Sequence, residues 1–219
     1  MAQLSTMNQV FDIISQKNGI IGIYARPGMG KTTFMLQIVD EVNKRKDGTA
    51  LVFSMAESQA QLIKRIQQIN VSCDRVVIDD TPHPTEEYME TKIKQVRKVS
   101  ILCIDYLQLL ENAVVEKMTE IAKKYKIPIL INGVLPRDFE SNDQKVYLEQ
   151  TAQQKYSLEY DFLALIRQEE GCIGAEFIVK KCWHWDPINV IMEWDEKETK
   201  FQFEKDTGGM AYETTTHIL

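Results

Sequence analysis

Along this chain, apolar runs of strand length alternate with segments whose apolar residues recur every three to four positions. Residues 19–24 (GIIGIY) read as a first buried strand, and 31–43 as the helix that follows, with Phe34, Ile38 and Val42 along one face. Residues 50–55 predict a second strand. Ser58 is placed to cap a helix running to about Gln68, and 75–78 make a short third strand that Asp79-Asp80-Thr81-Pro82 breaks off. A helix over 85–97 leads to the apolar strand 100–104, and a helix over 114–125 leads to a strand at 127–131. Strand, helix and strand in this order form βαβ units, so the expected fold is α/β around a mostly parallel sheet.

The pattern changes at Asn132. From there to Tyr160 the sequence is polar, with Gly133, Pro136 and one short helix-like stretch at 148–154, which predicts a long loop or lid. Strands follow at 162–167, 175–181 and 190–194, the last two joined through a turn at Asp186-Pro187 as a C-terminal β-hairpin. Residues 205–219 carry Gly208-Gly209 and a Thr run without periodicity, so a single domain is expected over 1–204 with a poorly ordered or partner-docking tail.

Composition narrows the class. A chain of 219 residues with 44% hydrophobic content can bury one substantial core. Its opening shows neither a signal peptide nor the roughly 20 apolar residues of a membrane span, which predicts a cytoplasmic protein with no membrane partner. Cys73, Cys103, Cys172 and Cys182 never fall at CxxC spacing and read as free thiols. A formal charge of −6 means that any contact with nucleic acid comes from a local patch. The runs Lys44-Arg45-Lys46 and Lys123-Lys124-Tyr125-Lys126 lie near predicted helix ends, where cations complement the helix dipole.

The chemistry concentrates at the first strand-to-helix turn. Ala25-Arg26-Pro27-Gly28-Met29-Gly30-Lys31-Thr32 fits the phosphate-binding pattern GxxxxGK[ST] except for Ala at the first position, and Thr33 follows. Backbone N–H groups from Gly28 to Thr32, at the positive end of the helix they open, can surround the β-phosphate of a nucleoside triphosphate. Lys31 is then the cation between β- and γ-phosphates, and the Thr32 hydroxyl is a Mg²⁺ ligand. The strand 100–104 ends in Asp105, the acidic residue expected to hold Mg²⁺ through water. ATP with Mg²⁺ is the expected cofactor pair.

Together these motifs resemble the C-terminal motor domain of DnaB-type replicative helicases, a RecA-like ATPase family that works as ring hexamers on single-stranded DNA. The resemblance rests on ARPGMGKTTF (25–34), VFSMAES with QLIKR (52–65), IDDTP (78–82), IDYLQLL (104–110), EIAKKYKIPIL (120–130) and AEFIVKK (175–181). It implies a RecA-like P-loop core and an ATPase role in DNA replication or recombination. Implied partners are single-stranded DNA and either a ring of copies or a related helicase subunit.

The departures from that family qualify the activity. Where the family carries the acidic residue that orients the attacking water, an ungapped alignment puts Ala56, with Glu57 one place displaced as the candidate. On a strand end, that shift swings a carboxylate to the other face unless the backbone bulges. The family's γ-phosphate-sensing Gln falls at Val134. Of its Lys and Arg that reach the neighbouring subunit's nucleotide, Lys181 remains and the Arg becomes Trp183. Loss of an arginine finger alone slows phosphoryl transfer by roughly 10³ to 10⁵. Weak hydrolysis is therefore expected. The alternative is a degenerate paralogue that binds ATP without turnover and docks on another helicase or ring ATPase.

The loop after IDYLQL is cut to Glu111-Asn112-Ala113, and the family's linker helix is reduced to the segment 5–15. Arg137 and Lys145 are the candidate DNA contacts. Trp183, His184 and Trp185 read either as a packed hairpin or as a stacking surface, and Tyr106 and Gln108 are expected near the nucleotide. A small-molecule kinase is a third reading, but no Arg-rich lid is visible.

Overall fold

The computed structural model describes residues 6–72, 74–135, 160–167, 174–182, 188–197 and 199–203. The chain order is α1 (Met7–Gln16), β1 (Gly19–Ala25), α2 (Lys31–Arg45), β2 (Thr49–Ser54), α3 (Gln59–Gln68), β3 (Val76–Asp79), α4 (Glu86–Gln95) and β4 (Val99–Asp105). After a 3₁₀ turn at Leu107–Leu109 come α5 (Asn112–Tyr125), β5 (Pro128–Val134), β6 (Phe162–Arg167), β7 (Gly174–Cys182), β8 (Ile188–Asp195) and β9 (Lys200–Phe203). All nine strands form one sheet in the order β3-β2-β4-β5-β1-β6-β7-β8-β9. The pairs from β3 through β6 are parallel, and those from β6 through β9 are antiparallel.

The side-chain period of two divides each central strand between two cores. Ile21 and Ile23 of β1 and Ile101 and Cys103 of β4 face a cluster that holds α1, α2 and α3. Ile20, Tyr24, Leu102 and Ile104 face a cluster that holds α4 and α5. The result is a sheet between two helical layers, as burial on both faces of a parallel sheet requires. Glycines in the middle of the sheet make room for a tyrosine pair. A Cβ on Gly133 would sit 2.0 Å from the Tyr24 ring, and one on Gly22 would sit 2.6 Å from the Tyr160 ring. The hydroxyls of Tyr24 and Tyr160 meet at 2.6 Å in the interior.

Four expectations change. The strand expected over 127–131 runs on to Val134, because pairing with β1 and β4 continues through Ala25↔Val134 and Asp105↔Asn132. Asn132 to Val134 therefore belong to the sheet and not to a polar loop. The expected C-terminal hairpin is a three-stranded antiparallel extension, since β9 adds to β8 through Met192↔Phe203 to Asp195↔Lys200. The segment 5–15, expected as a remnant linker, contains a capped helix. Thr6 and Gln9 form a capping box, and Met7, Val10, Phe11 and Ile14 are buried against the chain's own α2. Burying a side chain such as Phe11 contributes about 1.5–3 kcal/mol, enough to explain why so short a helix holds. The helix expected over 85–97 is capped by Thr85 and ends at Gln95.

Among the described residues no helix is long and apolar enough to cross a membrane. Cys103 and Cys182 are free and buried. The expected short helix at 148–154, Arg137, Lys145, the 183–185 aromatic cluster, Cys73, Cys172 and the 205–219 tail lie outside the described residues.

Candidate functional site

The sheet brings the motif residues to one end. β1, β4 and β5 are parallel, so Ala25, Asp105 and Val134 all mark the C-terminal edge of the sheet, where α2 begins. β5 separates β1 from β4, the strand that carries Asp105. Gly28 and Gly30 have φ of +83° and +74°, in the left-handed region open to glycine. Nothing lies within 4 Å of a Cβ built on Gly28, so its backbone turns toward open space. The loop Arg26 to Gly30 opens α2, whose first N–H groups have no intrahelical partner and could accept an anion.

Lys31 is 8% exposed. Its Nζ donates to the carbonyls of Ala25 (3.1 Å) and Arg26 (3.0 Å), so it lies folded over the loop it serves. Burial lowers its pKa from the ordinary 10.5 to about 8, partly opposed by the Asp105 carboxylate. Thr32 Oγ1 donates to Asp105 Oδ2 at 2.8 Å. Asp105 is 1% exposed. Burial pushes its carboxyl above the usual range, hydrogen bonds from Asn132 and Thr32 oppose this, and the charge of Glu57 adds to the upward push. A threonine hydroxyl beside a carboxylate, next to an anion-binding helix end, is a hard-oxygen donor set that fits Mg²⁺.

Glu57 lies in the turn after β2 and not on the strand. Met55 N donates to the Asp105 carbonyl at 2.9 Å, and Ser54 Oγ donates to the Glu57 carbonyl at 2.6 Å, closing the turn. Strand parity therefore does not decide where Glu57 points, which corrects the expectation of a required bulge. Its carboxylate is engaged by Arg65 of α3, with Nη2 2.8 and 2.9 Å from the two oxygens and Nε at 3.3 Å.

Val134 presents no polar side chain. Its backbone is clasped by Gln108, whose Nε2 donates to the Val134 carbonyl at 2.9 Å and whose Oε1 accepts from the Val134 N–H at 3.2 Å. Gln108 thus closes the end of β5 as a strand partner would. Lys181 stands elsewhere. β7 runs antiparallel to β6, so Gly174 to Glu176 reach the P-loop end while exposed Lys181 sits toward the opposite end, opposite Leu163.

Two groups at the site were not anticipated from the sequence. Asn132, fully buried on β5, donates from Nδ2 to Asp105 Oδ1 at 2.9 Å. The edge strand β9 packs onto the P-loop helix: Gln37 Nε2 donates to the Phe201 carbonyl at 2.7 Å, and the Phe201 N–H donates to Gln37 Oε1 at 3.1 Å. The Phe201 ring stands 2.9 Å from where a Cβ on Gly30 would be, with Trp194 at 3.6 Å. Gly30 therefore has a packing reason beyond its φ. A lone buried Gln on an apolar helix face was the available clue to β9.

Comparison with known proteins agrees with this geometry. A family model described as the DnaB-like helicase C terminal domain matches residues 3–74. The replicative DNA helicase DnaC of Bacillus subtilis (strain 168) is 24% identical over 189 residues, covering 67% of this chain and 42% of that protein. The replicative DNA helicase DnaB of Buchnera aphidicola subsp. Baizongia pistaciae is 26% identical over 190 residues, covering 67% of this chain and 41% of that protein. The chain spans about two fifths of the length of these curated relatives.

Among solved structures, one described as an ATPase domain superposes with a TM-score of 0.69 at 18% identity, covering 86% of this chain and 85% of that one. A DnaB-like replicative helicase, described with its interactions with primase, superposes with a TM-score of 0.66 at 17% identity, covering 86% of this chain and 57% of that one. These show the fold. The chain resembles the C-terminal, RecA-like ATPase domain of DnaB-type replicative helicases.

Proposed function

We propose that the chain binds ATP with Mg²⁺ at the loop Ala25 to Thr33 and hydrolyses it weakly, in the service of DNA replication or recombination. The observation that carries this is the meeting of Lys31, Thr32 and Asp105 at one sheet end, with Thr32 bonded to Asp105 at 2.8 Å. The loop N–H groups bind the phosphates, and Lys31 leaves the carbonyls of Ala25 and Arg26 to take up phosphate charge. Thr32 would hold Mg²⁺ by its hydroxyl and Asp105 would hold it through water, and the bound ion would supply charge neutralisation of the phosphates. Glu57 is the candidate to orient the attacking water, since its charge is felt at Asp105.

The weakness of turnover follows from the same contacts. Arg65 holds both oxygens of Glu57 and so competes with a water for the carboxylate, and Val134 offers no side-chain group to a γ-phosphate. Lys181, exposed and away from the loop Ala25 to Thr33, is the candidate contact to a neighbouring subunit's nucleotide. Single-stranded DNA and a ring of copies are the partners this reading proposes, with Arg137 and Lys145 as candidate DNA contacts.

The engagement of Glu57 by Arg65 favours a second reading, an ATP-binding paralogue without turnover that docks on another helicase or ring ATPase. Steady-state ATPase with and without single-stranded DNA, for the native chain and Lys31→Ala, separates the two. DNA-stimulated turnover that is lost in Lys31→Ala supports a motor. Tight ATP binding with no turnover supports the regulator.

A further inference from the structure

The central strand β5 ends its apolar run, Ile129-Leu130-Ile131, with a residue that the core does not call for. Asn132 is 0% exposed, and a buried amide is uncommon unless its polar atoms are paired. Its Nδ2 faces two acceptors, Asp105 Oδ1 at 2.9 Å and the Met35 sulfur at 3.5 Å, which fixes the amide with nitrogen toward the carboxylate. Oδ1 is buried and has no hydrogen-bond partner among the described residues. An amide satisfied on one side only costs stability, and native folds keep few such groups without a use for them.

Asn132 also occupies a particular place. It lies between β1 and β4, paired in register with Ile23 on one side and Asp105 on the other. Asp105 Oδ2 takes the Thr32 hydroxyl while Oδ1 takes Asn132, so the carboxylate is held at both oxygens by residues of different elements.

We propose that Asn132 is a positioning residue of the metal-nucleotide site. It fixes the Asp105 carboxylate beside Thr32 through Nδ2 and keeps Oδ1 as the acceptor for a water that enters with the metal-bound nucleotide. An anion such as phosphate offers no proton to Oδ1, so a water is the donor that matches it. The inference rests on the reading of Ala25 to Thr33 as an ATP site and adds to it a group that the motif pattern does not contain.

The test is a Mg²⁺ titration of fluorescent ADP binding to the whole chain, run beside the same binding in EDTA. The native chain is compared with Asn132→Leu, Asn132→Ala, Asp105→Asn and the Asn132→Leu/Asp105→Asn double variant. A hydrogen bond to a charged group corresponds to roughly 10- to 100-fold, so the Mg²⁺ concentration for half-saturation rises by about that factor in Asn132→Leu. Metal-free ADP affinity stays at the native level. In the Asp105→Asn background, adding Asn132→Leu changes nothing further, because the effect passes through Asp105.

Equal losses with and without Mg²⁺ would make Asn132 a packing residue and overturn the proposal, as would an unchanged Mg²⁺ requirement in both Asn132 variants. A native chain that binds no nucleotide would overturn the ATP-site reading itself and this proposal with it. A native chain with Mg²⁺-dependent binding leaves only the role of Asn132 at stake.

Discussion

The buried, lowered Lys31 makes nucleotide affinity depend on pH in a defined direction. In the free chain Lys31 titrates at about 8, because burial disfavours its charge. With phosphates beside it the charged form is favoured, and the pKa returns toward the ordinary 10.5. The bound state therefore holds more protons than the free state between those values, and affinity falls as pH rises through 8. Taking about 8 free and about 10.5 bound, the affinity at pH 9.5 is roughly twentyfold below that at pH 7.5. The assay is a fluorescent-ATP titration across that range at fixed Mg²⁺ and ionic strength, with calorimetry in buffers of different ionisation heat to count protons taken up. Lys31→Met removes the titrating group and flattens the profile while weakening binding. An affinity constant between pH 7.5 and 9.5 in the native chain would refute the reasoning.

Two further outcomes concern the frame around the site. Gln37→Met leaves the Phe201 N–H and carbonyl without their side-chain partner; at about 1–3 kcal/mol each, with water reaching part of this edge strand, the loss is about 2–4 kcal/mol. Urea denaturation reads it, and an unchanged midpoint would show that β9 does not brace α2. Asp79 tests the edge at β3. Burial alone would raise its pKa, but hydrogen bonds from Lys92, Thr81 and Tyr88 outweigh it and hold the value at about 2, below the ordinary 3.8. A depressed carboxyl contributes stability above pH 3.8 that is lost as pH falls from there toward 2. Asp79→Asn should cost about 2 kcal/mol at neutral pH and remove that acid-dependent loss, as thermal melts at pH 2, 4 and 7 would show.

Much of the fold was legible because periodicity and burial coincide in βαβ units. The strands at 19–24, 50–55 and 100–104 are near-continuous apolar runs broken only by Ser54 and Ser100, as suits strands covered on both faces, and each lies within a residue of its observed bounds. The turn between β1 and α2 was legible for a different reason: its left-handed positions, Gly28 and Gly30, are both glycines in the sequence. What escaped were features set by partners far along the chain. β9 is four residues at a sheet edge, held by Gln37 more than 160 positions earlier. The end of β5 looked like a loop because Asn132 and Gly133 are poor strand formers. They are kept there by Asp105 and by the Tyr24 ring, neither of which is a local neighbour. The bulge expected for Glu57 did not apply, because the strand ends at Ser54 and the turn that Ser54 closes is not bound by strand alternation.

The central claim, that Ala25 to Thr33 is an ATP site built with Asp105, is tested most directly by calorimetric titration of ATP with Mg²⁺ into the native chain and into Lys31→Ala. The account predicts saturable binding at one site per chain, weakened at least about tenfold in Lys31→Ala, as expected on losing a charge-assisted contact to phosphate. Binding of equal strength in both proteins, or no binding to the native chain, would contradict it.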